Sequence, residues 1–192
     1  MTKFNELSPE IQQRALDQYR YINVEDTGWD EPTIEYWVET LENIGFTDVI
    51  INYTGFYSQG DGASFTSGEI NIEKVLRHLR VFSKYRRYIP SDNMDYYIKV
   101  SRISSMYYHE KTVMVDDFIH YTNTENQTNK LYEIIDLIRA LVLEKSKEIY
   151  KDLNQDYDYL TDDAQVKETL LVNEYDFDAC TGEIVDASWD HE

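Results

Sequence analysis

Two pairs of β-branched and aromatic segments, each pair joined by only a few residues, constrain the fold of this chain more than any other feature. Asp48–Tyr57 and Ser64–Ile70 flank a glycine-punctuated turn at Ser58–Ala63. Tyr96–Tyr108 and Thr112–Tyr121 are joined around His109-Glu110. Strands connected this tightly run antiparallel, because a parallel crossover needs a dozen or more residues. Ile98 and Val100 alternate with Lys99 and Ser101, and Val113 and Val115 alternate with Met114 and Asp116. That period of two gives the second pair one apolar face.

The intervening segments read as helices. Ser8-Pro9-Glu10 combines a capping serine, a proline in the first turn and an early acid, which predicts a helix to about Tyr21. A second helix follows Pro32, with Ile34, Trp37, Val38, Leu41 and Ile44 at helical spacing and Gly45 as its stop. A third is expected from Ile72 to Arg87, with Val75, Leu76, Leu79 and Phe82 inward. The longest runs from Glu125 to Asn154 on a stripe of Leu131, Ile134, Ile135, Ile138, Leu141, Val142 and Ile149. A shorter helix covers Asp162–Asn173, and Tyr175–Ile184 can close a small hairpin around Thr181-Gly182. Strand pairs separated by helices predict an α+β fold: one domain over residues 1–192, an antiparallel sheet of about four strands packed against helices, and a short C-terminal hairpin.

Charge narrows the partners. The chain holds 37 Asp and Glu against 18 Lys and Arg, a net charge of −19. Residues 152–192 contain 13 acids and one base, so 13 − 1 = 12 of those negative charges fall there. Such a field repels nucleic acid and anionic membranes and attracts basic surfaces. Direct nucleic-acid binding and membrane association are therefore not expected. The lone cysteine, Cys180, excludes an internal disulfide, and no apolar run has the length of a membrane span, so a cytoplasmic setting is expected. The 17 tyrosines fit either a core margin or an aromatic recognition surface.

The run Ser58-Gln59-Gly60-Asp61-Gly62-Ala63 sits between aromatics, after an N-terminal helical pair. Near the C-terminus come Tyr157-Asp158-Tyr159-Leu160-Thr161-Asp162-Asp163-Ala164-Gln165-Val166 and Asn173-Glu174-Tyr175-Asp176-Phe177. This set resembles a family of small phage and prophage proteins that carry the same glycine-bounded run, some of them labelled antitoxin-like. The resemblance implies phage origin, a host-cell cytoplasmic setting and host-directed inhibition. It assigns no catalytic residue.

Candidate sites follow from residue type and spacing. Ser58, Gln59, Gly60, Asp61 and Gly62 read either as a tight turn, or as a recognition loop or anion-binding backbone nest. No Lys-Ser or Lys-Thr follows the last glycine, and a strand rather than a helix comes next, so the run is neither a P-loop nor a dinucleotide fingerprint. Lys74, Arg77, Arg80, Lys84 and Arg87 would make one basic stripe on a continuous helix, pairing with acids of this chain or of a second subunit in a homodimer, with a short nucleic-acid contact or a plain solvated face as the alternatives. Asp152 through Asp163 has calcium-loop spacing, but Tyr157 replaces the required glycine and Asp163 the bidentate glutamate. His120 shares a strand face with Asp116 but not with Asp117, which is too few ligands for a metal. No metal and no cofactor are expected. Asp152, Asp156, Asp158, Asp162 and Asp163 are the candidate partner-binding residues. Carboxylates one helical turn apart repeat at about 6 Å, close to the phosphate spacing of a nucleic-acid strand. The expected function is non-enzymatic: a phage-encoded inhibitor that offers these acids to the basic surface of a host nucleic-acid-acting protein, in defence or replication. The alternatives are antitoxin-like neutralisation of a toxin, or a small enzyme built on residues 58–64.

Overall fold

The computed structural model describes residues 2–25, 28–90, 96–103, 107–119 and 125–185. In chain order the strands are β1 (Thr2–Lys3), β2 (Ile50–Tyr53), β3 (Ala63–Glu69), β4 (Tyr96–Arg102), β5 (Val113–Ile119) and β6 (Asp176–Phe177). The helices are α1 (Pro9–Gln18), α2 (Glu31–Ile44), α3 (Ile72–His78), α4 (Phe82–Tyr85), α5 (Glu125–Leu160) and α6 (Asp163–Val172). The fold is α+β. Two compact units form, one from residues 32–153 and one from residues 1–31 with 154–192.

The larger unit holds a four-stranded antiparallel sheet in the order β2-β3-β4-β5. The β4–β5 register pairs Ile98 with Asp117, Val100 with Val115 and Arg102 with Val113 on one face. Tyr97 with Phe118, Lys99 with Asp116 and Ser101 with Met114 occupy the other. The first face is the buried one: Ile98, Val100, Val113 and Val115 join Leu131, Ile134, Ile135, Ile138, Leu141 and Val142 of α5 in a single core. The second face exposes Tyr97, Met114 and Phe118. The period of two thus places every residue on its expected side, with Asp116 facing out and Asp117 facing in. The inward Asp117 is ion-paired with Arg139 at 3.5 Å.

α2 enters this core with Trp37, Leu41 and Ile44. It ends where glycine was expected to end it. The Gly45 N–H donates to the Glu42 carbonyl at 3.1 Å and the Phe46 N–H to the Leu41 carbonyl at 3.1 Å, with Gly45 at φ 124°. That pair of bonds is a Schellman cap, and the buried Phe46 supplies its apolar closure.

The helix expected over Ile72–Arg87 is broken. α3 stops at His78, and α4 is a separate short turn. The same cap is responsible. The Arg80 N–H donates to Arg77 at 3.0 Å and the Val81 N–H to Leu76 at 2.9 Å, while Arg80 sits at φ 59°. Burying Leu76 with Val81 packed against the core favours the reversal over another helical turn. Arginine in the left-handed region carries a steric penalty that glycine does not. Arg80→Gly is therefore expected to raise stability by about 0.5–1 kcal/mol, read as a higher denaturant midpoint at unchanged slope.

The smaller unit packs Phe4, Leu7, Ala15, Leu16, Val166, Leu170 and Phe177 together. β1 pairs antiparallel with β6, and Phe177 also bridges Ile184, giving the expected C-terminal hairpin an N-terminal partner strand. Asp178 closes the hairpin turn by accepting the Cys180 and Thr181 N–H groups, each at 2.8 Å. Those bonds hold its carboxyl below the ordinary aspartate range. α5 continues past the expected Asn154 to Leu160. Its last carbonyls are satisfied within this unit: Asn23 Nδ2 donates to Leu160 at 2.9 Å and Arg20 Nη1 to Thr161 at 3.2 Å.

Candidate functional site

Four of the five aspartates expected to form one acidic surface, Asp152, Asp158, Asp162 and Asp163, have separate local duties. Asp152 accepts a hydrogen bond from Trp37 Nε1 at 3.0 Å and belongs to the sheet unit. Asp156, Asp158, Asp162 and Asp163 belong to the other unit. Asp158 accepts from Asn154 Nδ2 at 3.0 Å. Asp162 is the N-cap of α6 and accepts from the Ala164 N–H. Asp163 pairs with Arg20 at 3.0 Å and accepts from Gln13. Asp17 and Asp163 together raise the Arg20 guanidinium above its ordinary value, the bond to Asp17 contributing most. Burial pushes the Tyr157 hydroxyl up, and the neighbouring Tyr21 and Asp158 add to the rise. The calcium-loop spacing lies along helix as far as Leu160, so its oxygens do not encircle a point.

A different acidic ridge stands on α2. Glu35, Glu39 and Glu42 are all exposed and recur at four and three residues, on the side opposite Trp37 and Leu41. Among the described residues none of the three is ion-paired. The four- and three-residue spacing is written in the sequence, but the larger charge excess of the C-terminal third masks it.

The basic residues do not form one stripe. Arg77 is tied to Glu73 at 2.7 Å and its guanidinium lies 4.0 Å from the Phe82 ring. Lys84 donates to the Tyr85 hydroxyl at 2.7 Å and reaches Glu133 at 4.0 Å. Lys74 and Arg87 are exposed, and Arg80 occupies the left-handed turn that separates α3 from α4. The continuous helix that would have aligned them is absent, because the left-handed turn at Arg80 ends α3.

The glycine-rich run is where the structure brings most groups together. The β2–β3 connection spans residues 54–62 and is closed by the Thr54 N–H donating to Gly62 at 3.0 Å. Asp61 and Ser58 bond reciprocally: the Ser58 N–H donates to Asp61 Oδ2 at 2.7 Å, and the Asp61 N–H to the Ser58 carbonyl at 3.1 Å. Gly62 is demanded by close approach, and Gly60 by its φ of 99°. A Cβ on Gly62 would lie 2.5 Å from His109 Cβ, and one on Gly60 would lie 3.1 Å from the Tyr107 ring. The segment carrying Tyr107 and His109, whose rings stack on each other, is thus seated on this turn. Below the turn, Phe56 is stacked between Tyr53 and Tyr150. The Tyr57 backbone hydrogen-bonds the Tyr150 hydroxyl, while burial and the nearby Asp61 charge push that hydroxyl's pKa up. Tyr57 itself lies at φ 73° with its side chain 73% exposed. A bulky residue held in the left-handed region costs roughly 1–2 kcal/mol.

Among the described residues no three His, Cys, Asp or Glu side chains gather so as to hold a metal ion, and His120 lies outside the described residues. No helix among the described residues is long and apolar enough to cross a membrane. No curated protein and no solved structure matches the chain. A family model described as Domain of unknown function (DUF8835) matches residues 29–163, a stretch that contains the whole sheet unit. That match covers more than half of the sequence, and the chain belongs to this DUF8835 family.

Proposed function

We propose that the protein is a non-catalytic binding protein that offers a ridge of carboxylates to the basic surface of a partner, a host protein acting on nucleic acid, and so occupies the place of the phosphate backbone. The observation that carries this reading is the α2 row Glu35, Glu39 and Glu42: exposed and on a rigid helix. The net charge of −19 adds long-range attraction for a basic partner. The aspartates from Asp152 to Asp163 add to that field, but their bonds to Trp37, Asn154, Ala164 and Arg20 make them structural as well.

The test is capture of bacterial lysate proteins on the immobilised chain, with elution by a salt gradient and by duplex DNA. The expected result is a nucleic-acid-binding protein that leaves at moderate salt and is displaced by the DNA. The variant carrying Glu35→Lys, Glu39→Lys and Glu42→Lys should hold it at least about tenfold more weakly, with the melting temperature little changed because the three side chains are solvated. Equal capture by that variant rules the reading out. Reversal at Asp162 or Asp163 is a poorer probe, since it also removes a helix cap or an ion pair.

A further inference from the structure

A cleft of about 440 Å³ opens where β3 runs into α3. Its apolar lining is Ile70 and Ile72, both buried, with the half-buried Ile89 and Tyr96. Its charged lining is Glu69 and Glu73, and among the described residues that line it none is Lys, Arg or His. Hydrogen bonds hold the walls apart. Thr47 Oγ1 donates to the Glu69 carbonyl at 2.8 Å, the Ile70 N–H to the Ile98 carbonyl at 2.8 Å and the Asn71 N–H to the Gly45 carbonyl at 2.8 Å.

The β3–β4 register aims one of the two acids. Ser67 pairs with Val100, so unbroken alternation would set Glu69 beside Ile98 on the core face. The register slips between Ser67 and Glu69, and Glu69 pairs with Lys99 instead. A slip of one residue moves a side chain to the opposite face, and bulges re-aim side chains in this way. Glu69 is exposed at the cleft as a result. Lys99 does not neutralise it: the Lys99 ammonium lies 5.3 Å from the Tyr97 ring centroid, and among the described residues Glu69 makes no ion pair. Glu73 is already shared with Arg77.

We infer that this cleft binds a small organic cation, a primary ammonium on a short alkyl chain, with the ammonium at Glu69 and the chain against Ile72, Ile89 and Tyr96. An apolar lining with a few placed polar groups is the ordinary form of a small-molecule site, and the volume lies in the usual range. Two carboxylates without a base repel an anion. A bare metal ion finds too few ligands, since among the described residues no third metal-ligating side chain joins the pair. The net charge of −19 raises the local concentration of cations. The site is distinct from the α2 ridge and does not require it.

The test is an amide NMR titration of the full chain with ethyl-, butyl- and hexylammonium at constant ionic strength, with hexanol as the uncharged counterpart. The expected result is saturable shifts centred on residues 69–73. Affinity should rise about fourfold for each methylene the cleft covers. Glu69→Gln should weaken hexylammonium about fivefold while leaving hexanol unchanged. Glu69→Lys, which sets an ammonium where the carboxylate stood, should lose hexylammonium binding outright. The amide spectrum away from the cleft checks that both variants keep the fold, as the exposed side chain predicts. Non-saturating shifts spread over the acidic surface, an affinity flat with chain length, hexanol binding as tightly as hexylammonium, or full binding by Glu69→Gln each overturns the inference.

Discussion

Phe65→Ala is expected to lower the stability of the sheet unit by about 4 kcal/mol. Phe65 is fully buried on β3, on the face that meets the helices. Its ring meets the edge of Phe46 with centroids 5.1 Å apart and planes at 84°. Truncation removes the transfer free energy of the ring and leaves a cavity whose lining loses its contacts. Phe46 directly follows the Gly45 cap, so the loss also loosens the end of α2. The cost is a large share of the roughly 5–15 kcal/mol that holds a domain together. Urea unfolding followed by tryptophan fluorescence reads it as a lower midpoint. Phe118→Ala, on the outer face and 46% exposed, should cost no more than about 1 kcal/mol. Equal losses at the two positions would mean that the buried face of the sheet is misassigned.

Gly45→Ala is expected to cost about 3 kcal/mol, through a backbone rather than a cavity. Two terms add. The residue sits at φ 124°, a conformation that a Cβ makes unfavourable. That Cβ would also lie 2.8 Å from Lys74 Cβ and 2.9 Å from the Asn71 carbonyl oxygen. The neighbour cannot yield cheaply, because the Asn71 N–H donates to the Gly45 carbonyl at 2.8 Å and the Asn71 side chain caps α3. The substitution therefore strains the ends of two helices at once. Circular dichroism melting checks it, with a drop of several degrees expected. A change within about 1 °C would show that the α2–β2 turn relaxes freely.

Much of the architecture was legible before the fold was known. The strand pairs, their antiparallel sense and the inward and outward sides of β4 and β5 follow from alternation and from the shortness of the connections. The end of α2 was legible because glycine is the residue a left-handed cap prefers. The end of α3 was not, because the same cap is built on Arg80, and nothing local distinguishes that arginine from others on a helix. Only the burial of Leu76 with the half-buried Val81 packed against the same core selects the cap. β1 is two residues long and exists because Phe177 brings a partner strand beside it.

The candidate sites divide in the same way. Ser58–Ala63 announces a turn by composition. That Gly62 is required by His109, some fifty positions along the chain, is a property of close approach in three dimensions. The aspartates from Asp152 to Asp163 announce charge, but their roles as cap, ion-pair partner and indole acceptor depend on which groups the fold delivers to them. Periodicities, turn positions and the net field are readable without the fold, since these are sums over local residue chemistry. Which charges are already satisfied and which aromatic rings remain in solvent emerges only on folding, because satisfaction and exposure belong to contacts between residues distant in sequence.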